Sequence, residues 1–410
     1  MGLQLCQLCE IAYFVTDKIP LEKVLLTDYV TTDSLLPNKE GRCVAQNLPP
    51  QKCALTHYKC GDVLVANIRP YLKKIWFADR EGGASADVLV FRAKSGHSQE
   101  FLYASLLQDT FYDYVMKGKK GSKMPRGDKA QIMRYSIPKL SLAEEACIGN
   151  IILSFCTKIN INRQINDNLE AMAKQLYDYW FVQFDFPNEE GKPYKSSGGA
   201  MVYNERLKRE VPIAWEVENL IDFAEIKNGA TPSTADEANY GGDIVWITPK
   251  DLSDQQSKFV YQGERNITKQ GFDSCSTSML PTNSVLMSSR APIGLVSIAK
   301  HEVCTNQGFK SFIPKSISDS IYLYYYIKHH IKQIEQLGTG TTFKEVSRDD
   351  LCKFPILTIG AKDIYVQWIE LQNGIADKQL ALTKEIAALT KQRDELLPLL
   401  MNGQASVNSD

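Results

Sequence analysis

Apolar positions along the chain define a first long helical segment. They recur in steps of three and four, which is typical of the narrow seam of a coiled coil. The stripe consists of Ile148, Ile152, Phe155, Ile159, Asn162 (a polar exception), Ile165, Leu169, Met172 and Leu176. No proline interrupts the segment, and Glu144 and Glu145 lie near its start, where acids suit the helix dipole. We predict a long helix over 141–186.

A second stripe near the other end of the sequence has the same spacing. Its apolar positions are Ile364, Trp368, Leu371, Ile375, Leu382, Ile386, Leu389, Leu396 and Leu400. The opposite face is charged, through Lys384, Glu385, Lys391, Arg393, Asp394 and Glu395. We predict a second helix over 361–403, followed by a tail, 404–410. Two such seams need partners, so the helices either pair with each other in antiparallel fashion or dock on another chain.

The segments before the two helices have a mixed pattern. Short β-rich runs at 62–66, 87–91, 244–247 and 284–287 are broken by Gly and Pro. Between them, 187–200 is rich in Gly, Ser and Pro and is predicted as a linker. We therefore expect an α+β protein. Its globular domains would cover 1–140 and 201–360, separated by two long antiparallel coiled-coil helices.

The two halves also resemble each other locally. Similar stretches recur in the same order at an offset of about 220 residues. The matched pairs are 61–64 with 283–286, 120–124 with 339–343, and 136–138 with 353–355. Because order and spacing agree at several points, we predict duplication of a whole domain-plus-helix unit. Chance similarity between β segments is the alternative.

Composition narrows the class of protein. Of 410 residues, 44% are hydrophobic and 23% are charged, which is ordinary for a globular protein. The net charge of −1 argues against a uniformly basic nucleic-acid binder, but a local basic face is enough to hold phosphates. One stretch, 115–140, is strongly biased. Its basic residues are Lys117, Lys119, Lys120, Lys123, Arg126, Lys129, Arg134 and Lys139, against one acid, Asp128.

Several classes of function lack their sequence signals. There is no apolar run of about 18 residues for a membrane span, and the first residues do not resemble a signal peptide. Ten scattered cysteines fit a reduced cytoplasm. Cys6 and Cys9 form a lone C-x-x-C pair, and no histidines have metal-ligand spacing, so we expect no metal. Neither an Asn/Asp-Pro-Pro-Tyr segment nor a Gly-x-x-x-x-Gly-Lys-Ser/Thr loop is present. We predict no catalytic centre and no cofactor in this chain.

Motifs in the second half resemble the target-recognition domains of type I restriction-modification specificity subunits. They are Gly229-Ala230-Thr231-Pro232-Ser233, the stretch 240–252, the stretch 288–294, Thr305-Asn306-Gln307-Gly308-Phe309, and 338–342 followed by Phe354-Pro355. The first helix adds 165–170 and 184–187. The first globular segment departs from the pattern, with Asn67-Ile68-Arg69-Pro70 and Ser85-Ala86-Asp87 in place of two motifs.

The resemblance implies a non-catalytic DNA-binding subunit. Each of two recognition domains would read one half of a bipartite, asymmetric double-stranded target. The helices would set the spacing and dock two adenine-methyltransferase subunits, with a restriction translocase subunit as an optional addition. S-adenosylmethionine, ATP and Mg²⁺ would belong to those partners.

Two glycine-containing loops are candidates for DNA contact. In the first, 118–126, the candidates are Lys119, Lys120, Ser122, Lys123 and Arg126, because Lys and Arg neutralise phosphates. The equivalent loop of the second half offers Thr341, Thr342 and Lys344. A solvated charged loop is the alternative interpretation. Further candidates for contact are Arg69, Lys73, Lys74 and Lys250.

Three residues of the second half have two interpretations each. Arg290 has the chemistry to read guanine, or it anchors the domain through a carboxylate. Asn306 and Gln307 either read adenine or hold a tight turn before Gly308. Trp246 is predicted to be a core residue, with base stacking as the alternative. The aromatic cluster at 177–181 belongs either to the core or to a methyltransferase contact.

Overall fold

The computed structural model describes residues 4–51, 53–121, 123–255, 257–339, 344–360 and 362–405. The chain folds as two compact units. The first unit consists of Met1–Asp167 and Gln379–Asp410, and the second unit is Asn168–Lys378. Each unit therefore combines one globular segment with parts of both long helices.

The first half of the chain alternates short strands with helices. Its strands are β1 (Leu5–Gln7), β2 (Ala12–Phe14), β3 (Lys18–Pro20), β4 (Tyr29–Val30), β5 (Ala54–Tyr58), β6 (Val63–Ala66), β7 (Ile75–Phe77), β8 (Gly82–Ala84), β9 (Val88–Ala93) and β10 (Ser136–Pro138). Its helices are α1 (Leu8–Ile11), α2 (Gln99–Leu107), α3 (Asp109–Lys117), α4 (Lys129–Ile132) and the long α5 (Leu142–Tyr177).

The second half repeats this order with additions. Its strands are β11 (Met201–Asn204), β12 (Arg209–Pro212), β13 (Glu216–Asn219), β14 (Ala224–Asn228), β15 (Tyr240–Ile247), β16 (Phe259–Val260), β17 (Asn266–Ile267), β18 (Val285–Ser288), β19 (Val296–Ala299), β20 (Cys304–Thr305), β21 (Phe309–Pro314) and β22 (Pro355–Thr358). Its helices are α6 (Leu220–Phe223), α7 (Pro249–Gln255), α8 (Lys269–Asp273), α9 (Ser320–His329), α10 (Ile331–Leu337), α11 (Arg348–Lys353) and the long α12 (Lys362–Met401).

Sheet topology confirms the predicted duplication. The main sheet of the first unit has the order β2-β9-β6-β7, and that of the second has β14-β21-β18-β19 with β16 added at its edge. In both, the central strands pair in antiparallel fashion. A two-stranded sheet next to each long helix also repeats, as β1-β10 and β13-β22. The helices after the main sheet also repeat in the same order, since α2, α3 and α4 correspond to α9, α10 and α11.

Each unit closes its core with segments of both long helices. In the first unit, Phe101 and Phe111 pack in one cluster with Ile152 near the start of α5 and with Leu397 and Leu400 near the end of α12. Burying a side chain of this size stabilises the fold by roughly 1.5–3 kcal/mol. The globular segment and the helix pair therefore share a single core.

The second unit uses the opposite ends of the same helices. Phe181, just after α5, lies between Tyr322 of α9 and Trp368 of α12, with ring centroids 5.0 and 4.8 Å away. Tyr177 stacks on Tyr325 at 5.6 Å. Tyr177, Trp180 and Phe181 of the aromatic cluster are therefore core packing, one of the two interpretations made from the sequence, whereas Tyr179 is 36% exposed.

The helices pair in antiparallel fashion in both units, as predicted, but the predicted seam is wrong in part. Met172 and Leu371 are 52% and 51% exposed. Their neighbours Ala173 and Gln372 are buried instead, and the Gln372 side chain donates a hydrogen bond of 2.9 Å to Ala173 O. The seam predicted from apolar residues is therefore displaced by one position here. The buried seam contains a small residue and a polar residue, which the apolar pattern does not indicate.

Arg393 is a second correction. The sequence pattern placed it on the charged outer face of the second helix, but only 4% of the residue is exposed. Its guanidinium pairs with Asp394 at 2.8 Å and also interacts with Cys156 of α5. The aliphatic part of the Arg393 side chain is buried in the seam between the helices, while its guanidinium group keeps polar partners.

The ends of the long helices follow local chemistry. Ser141 and Glu144 form a reciprocal cap at the start of α5, with Ser141 N donating to Glu144 Oε2 at 2.8 Å. The α-helix ends at Tyr177, earlier than the predicted 186, and a π-helical turn, Asp178–Val182, follows. No helix among the described residues has the length and apolarity that crossing a membrane requires. All ten cysteines are free thiols.

Gly149 of α5 provides a test of the packing in the first unit. A β-carbon there would lie 2.4 Å from Phe101 N and 2.6 Å from Glu100 C. Because backbone must move, we expect G149A to lower the free energy of unfolding by roughly 1–3 kcal/mol. Gly374 of α12 is the matched control, with nothing within 4 Å of an added β-carbon. G374A should raise stability by up to about 1 kcal/mol. Denaturation midpoints measure both, and equal effects would contradict the packing described.

Candidate nucleic-acid interface

The same loop arrangement occurs at one end of the main sheet in each unit. Two strand ends and the loop before the next short helix meet through backbone hydrogen bonds. In the first unit these are Asn67 N to Asp87 O (2.9 Å), Gly127 N to Asn67 O (3.2 Å) and Arg126 N to Lys120 O (2.9 Å). We call the described residues of 67–74, 85–87 and 118–127 the first corner.

The second corner has equivalent bonds. They are Ser289 N to Gly308 O (2.7 Å), Val346 N to Ser289 O (3.0 Å) and Glu345 N to Thr339 O (3.0 Å). This corner consists of the described residues of 289–294, 305–308 and 338–346. The helix that follows each corner is capped at the equivalent residue, by Asp128 for α4 and by Ser347 for α11.

The first corner gathers most of the cationic candidates of the first half. Arg69 has left-handed backbone and donates its N–H to Pro125 O at 2.9 Å. Lys120 pairs with Asp128 at 2.5 Å, and Arg126 pairs with Asp87 at 3.0 Å. The hydrogen bond from Lys120, joined by the Gln131 backbone N–H, lowers the pKa of Asp128 to about 2.

Three cationic side chains of the first corner have no carboxylate partner among the described residues. Arg69, Lys119 and Lys123 are exposed. Within the described part of the chain, none of the three has an ion pair. They are therefore available to an external anion. Ser122, also a candidate, lies outside the described residues.

Lys73 and Lys74 lie beside this group but are already engaged. Lys73 shares Asp109 with Lys39, at 2.8 Å from each ammonium. Lys74 donates to Thr32 O at 2.6 Å. These two lysines tie neighbouring segments of the first unit together.

In the second corner, Arg290 has a carboxylate partner. Its Nε lies 2.9 Å from Glu345, and Lys310 reaches the same carboxylate at 3.1 Å. Partial burial raises the pKa of Glu345, but hydrogen bonds from Lys310 and Arg290 outweigh burial and lower that pKa overall. The anchoring interpretation of Arg290 thus has a geometric basis, and its other edge stays open to solvent.

Asn306 and Gln307 are placed differently although they are adjacent. The Asn306 side chain accepts a hydrogen bond from Gly308 N at 2.9 Å and so closes the turn. Gln307 is exposed and accepts from the Thr231 hydroxyl. Gly229 lets these segments approach, since a β-carbon there would lie 2.0 Å from Asn306 O. Trp246 is buried and donates to Ala230 O at 3.2 Å, as expected for a core residue.

The remaining candidates of the second half are dispersed. Lys344 is exposed beside Glu345. Lys250, on α7, pairs with Glu264 at 2.6 Å, and both side chains are well exposed. Thr341 and Thr342 lie outside the described residues.

Sequence reasoning missed the residues that hold these cations in place. Glu345, Lys310 and Thr231 were not singled out as candidates. A lysine inside the buried run of β21 was the available signal, because a buried charge needs a partner. Among the described residues, no cluster of three or more His, Cys, Asp or Glu has a metal-binding arrangement.

Comparisons with known proteins agree with this architecture. Residues 212–398 match the model of the type I restriction modification DNA specificity domain. The crystal structure of a type I restriction-modification system S subunit from M. genitalium aligns over 100% of this chain and 97% of its own, with a TM-score of 0.62 at 11% identity. That likeness establishes the fold.

Sequence relatives are of the same kind. The type I restriction enzyme MjaIX specificity subunit of Methanocaldococcus jannaschii is 42% identical over 144 residues, which span 35% of this chain and 33% of that relative. The HindI specificity subunit of Haemophilus influenzae is 27% identical over 440 aligned residues, covering 92% of this chain and 94% of the relative. Residues 212–398 thus match a type I restriction modification DNA specificity domain, and over most of its length the chain is similar to type I specificity subunits.

Removing the charge of Glu345 should destabilise the protein more than removing the charge of Glu264. In E345Q, Lys310 loses its counter-charge while its side chain is only 8% exposed. We expect a loss of roughly 1–2 kcal/mol in the free energy of unfolding, after allowance for solvent screening. E264Q, which breaks the exposed Lys250 pair, is the matched control and should have no measurable effect.

The contribution of Glu345 to the free energy of unfolding should decrease in acid. Because the pKa of Glu345 is lowered in the folded state, its contribution is present above the unfolded-state pKa. That contribution is lost as pH falls through the lowered value. The stability difference between wild type and E345Q should therefore shrink in acid, as followed by denaturation across pH. A difference that is constant with pH would contradict the assignment.

Proposed function

We propose that this chain is the DNA sequence-recognition subunit of a type I restriction-modification complex, in which each corner reads one half of a bipartite, asymmetric target. The observation that carries the proposal is the repeated corner, built from equivalent backbone hydrogen bonds but different side chains. Equivalent scaffolds with different side chains are suited to reading two different short sequences.

In the first corner, cations meet the DNA backbone. Arg69, Lys119 and Lys123 supply exposed charge, while Lys120 and Arg126 hold the loop through Asp128 and Asp87. Phosphate contacts of this kind fix position and register and make binding salt-dependent. Ser122 is proposed to join them.

In the second corner, base reading falls to side chains that project from a fixed turn. Gln307 has the amide geometry to pair with adenine, and Arg290 has the geometry to pair with guanine. Asn306 acts indirectly, by closing the turn that presents Gln307. Lys344, Lys250, Thr341 and Thr342 are proposed as backbone contacts.

The long helices set the spacing of the two readers and dock two methyltransferase subunits. Exposed apolar side chains on them, among them Met172, Val366 and Leu371, support a docking role. S-adenosylmethionine, ATP and Mg²⁺ would reside on the partner subunits, which would also extrude the target adenine. The complex would act on DNA in the cytoplasm, and this chain would perform no chemistry.

Exchange of one recognition domain tests the proposal. Residues 201–358 are replaced by the corresponding segment of a family member with a different known target, and the complex is assembled with its methyltransferase subunits. We expect one half of the methylated target to change and the other half to stay. The control exchanges 1–140 and should change the opposite half.

Other outcomes would contradict the proposal in distinct ways. If a single exchange altered both half-sites, the model of two independent readers would be wrong. Methyl transfer by the purified chain alone would reveal an enzyme. Binding indifferent to sequence in the presence of partner subunits would indicate an assembly scaffold.

A further inference from the structure

The second unit contains a basic cavity outside the second corner. It lies between the β11-β12 hairpin and helices α9 to α11, and its volume is about 620 Å³. Four of its lining residues are cationic, namely Arg206, Lys208, Arg209 and Lys353. Asp350 is the acid among the described lining residues.

Two of the cations are fixed by the fold. Arg206 donates to Asn219 Oδ1 at 2.8 Å and to Lys353 O at 3.4 Å. Arg209 lies 4.4 Å above the Phe184 ring and donates to Val182 O. Such guanidinium groups are already ordered, so an anion that joins them causes little further loss of side-chain entropy.

The other two cations are free to meet a ligand. Lys208 and Lys353 are exposed, and neither ammonium has an ion pair or hydrogen bond within the described residues. Lys208 has left-handed backbone at the hairpin turn, with φ 51°. The carboxylate of Asp350 is engaged by the Ser347 hydroxyl at 2.6 Å, as part of the α11 cap.

The histidines of the cavity do not add charge near neutral pH. Burial lowers the pKa of His329, and it lowers the pKa of His330 to about 4. Four cations therefore face one engaged carboxylate. Clustered Lys and Arg of this kind favour a multivalent anion such as phosphate.

The first unit offers an internal comparison. The cavity at the matching place in the first unit has a volume of about 350 Å³, and residues around the start of α3, strands β1 and β10, Lys39 and the end of α12 line it. There the charged residues are Lys39, Asp109 and Asp394, and Lys39 is paired with Asp109. Three of the four cations of the second-unit cavity thus come from the β11-β12 hairpin, which has no counterpart among the described lining residues of the first-unit cavity.

The cavity adjoins the second corner through α10. Leu337, the last residue of that helix, lines the cavity. The next residue, Gly338, lies against Lys344, since a β-carbon on it would be 3.6 Å from Lys344 Cβ. A phosphate in the cavity would therefore extend the proposed DNA-contacting surface.

We propose that this cavity binds a phosphate group, supplied either by the DNA backbone beside the second corner or by a free polyphosphate compound. Arg206 and Arg209 provide the fixed wall, and Lys208 and Lys353 close on the anion. The DNA source rests on the proposed function, whereas the free-phosphate source does not.

The test compares two double variants of the full chain. K208A/K353A removes the free cations of the cavity. K192A/K269A removes two exposed lysines of the same unit that belong to local ion pairs, so it is matched in charge. Thermal unfolding without ligand checks that both variants fold.

Two probes distinguish the sources of phosphate. For a short duplex of random sequence, the slope of log affinity against log salt concentration should fall by about 2 in K208A/K353A if both lysines contact the backbone. For sodium tripolyphosphate, the unfolding midpoint of wild type and control should rise, and that of K208A/K353A should not, if the cavity takes free phosphate.

Either pattern supports the cavity and assigns its source. If K208A/K353A matches K192A/K269A with both probes, the proposal is overturned. Failure of the proposed function gives a different result, because wild-type protein with its partner subunits would then not discriminate between DNA sequences, whatever tripolyphosphate does.

Discussion

Closure of each core by both long helices is the constraint on which the rest of the structure depends. In the first unit, Ile152 near the start of α5 and Leu400 near the end of α12 belong to the same cluster. In the second, Trp368 near the start of α12 meets Phe181 just after α5. Each globular segment thus completes its core with the helix that follows it and with the far end of the other helix. The paired helices are therefore part of each domain core.

The two units also present equivalent corners, and these corners differ in charge. The first corner has Arg126 held by Asp87, whereas the residue equivalent to Arg126 in the second corner is Glu345, which holds Arg290. The backbone hydrogen bonds are the same in both. Duplication thus preserved a scaffold while the charge at this one position changed sign, which fits two readers of unequal half-sites under the proposed function.

Much of the fold follows from sequence pattern alone. Heptad spacing predicts both helices, and matched motifs predict the duplication. The seam at Ala173 and Gln372 could not be predicted in this way, because a small residue and a polar residue do not add to an apolar pattern. Burial of Arg393 and the pairing of Lys310 with Glu345 depend on residues distant in sequence. Periodicity describes one segment at a time, so it cannot reveal which charges meet in space. The corner residues accordingly remain candidates for contact, as the sequence predicted them.

The central claim is that one chain contains two different readers held on one pair of helices. The most direct measurement is a map of methylated adenines in the DNA of cells that contain this chain and its methyltransferase partner. We expect a single motif made of two unequal specified halves separated by unspecified bases of constant number. A palindromic motif, or one uninterrupted run of specified bases, would contradict the claim.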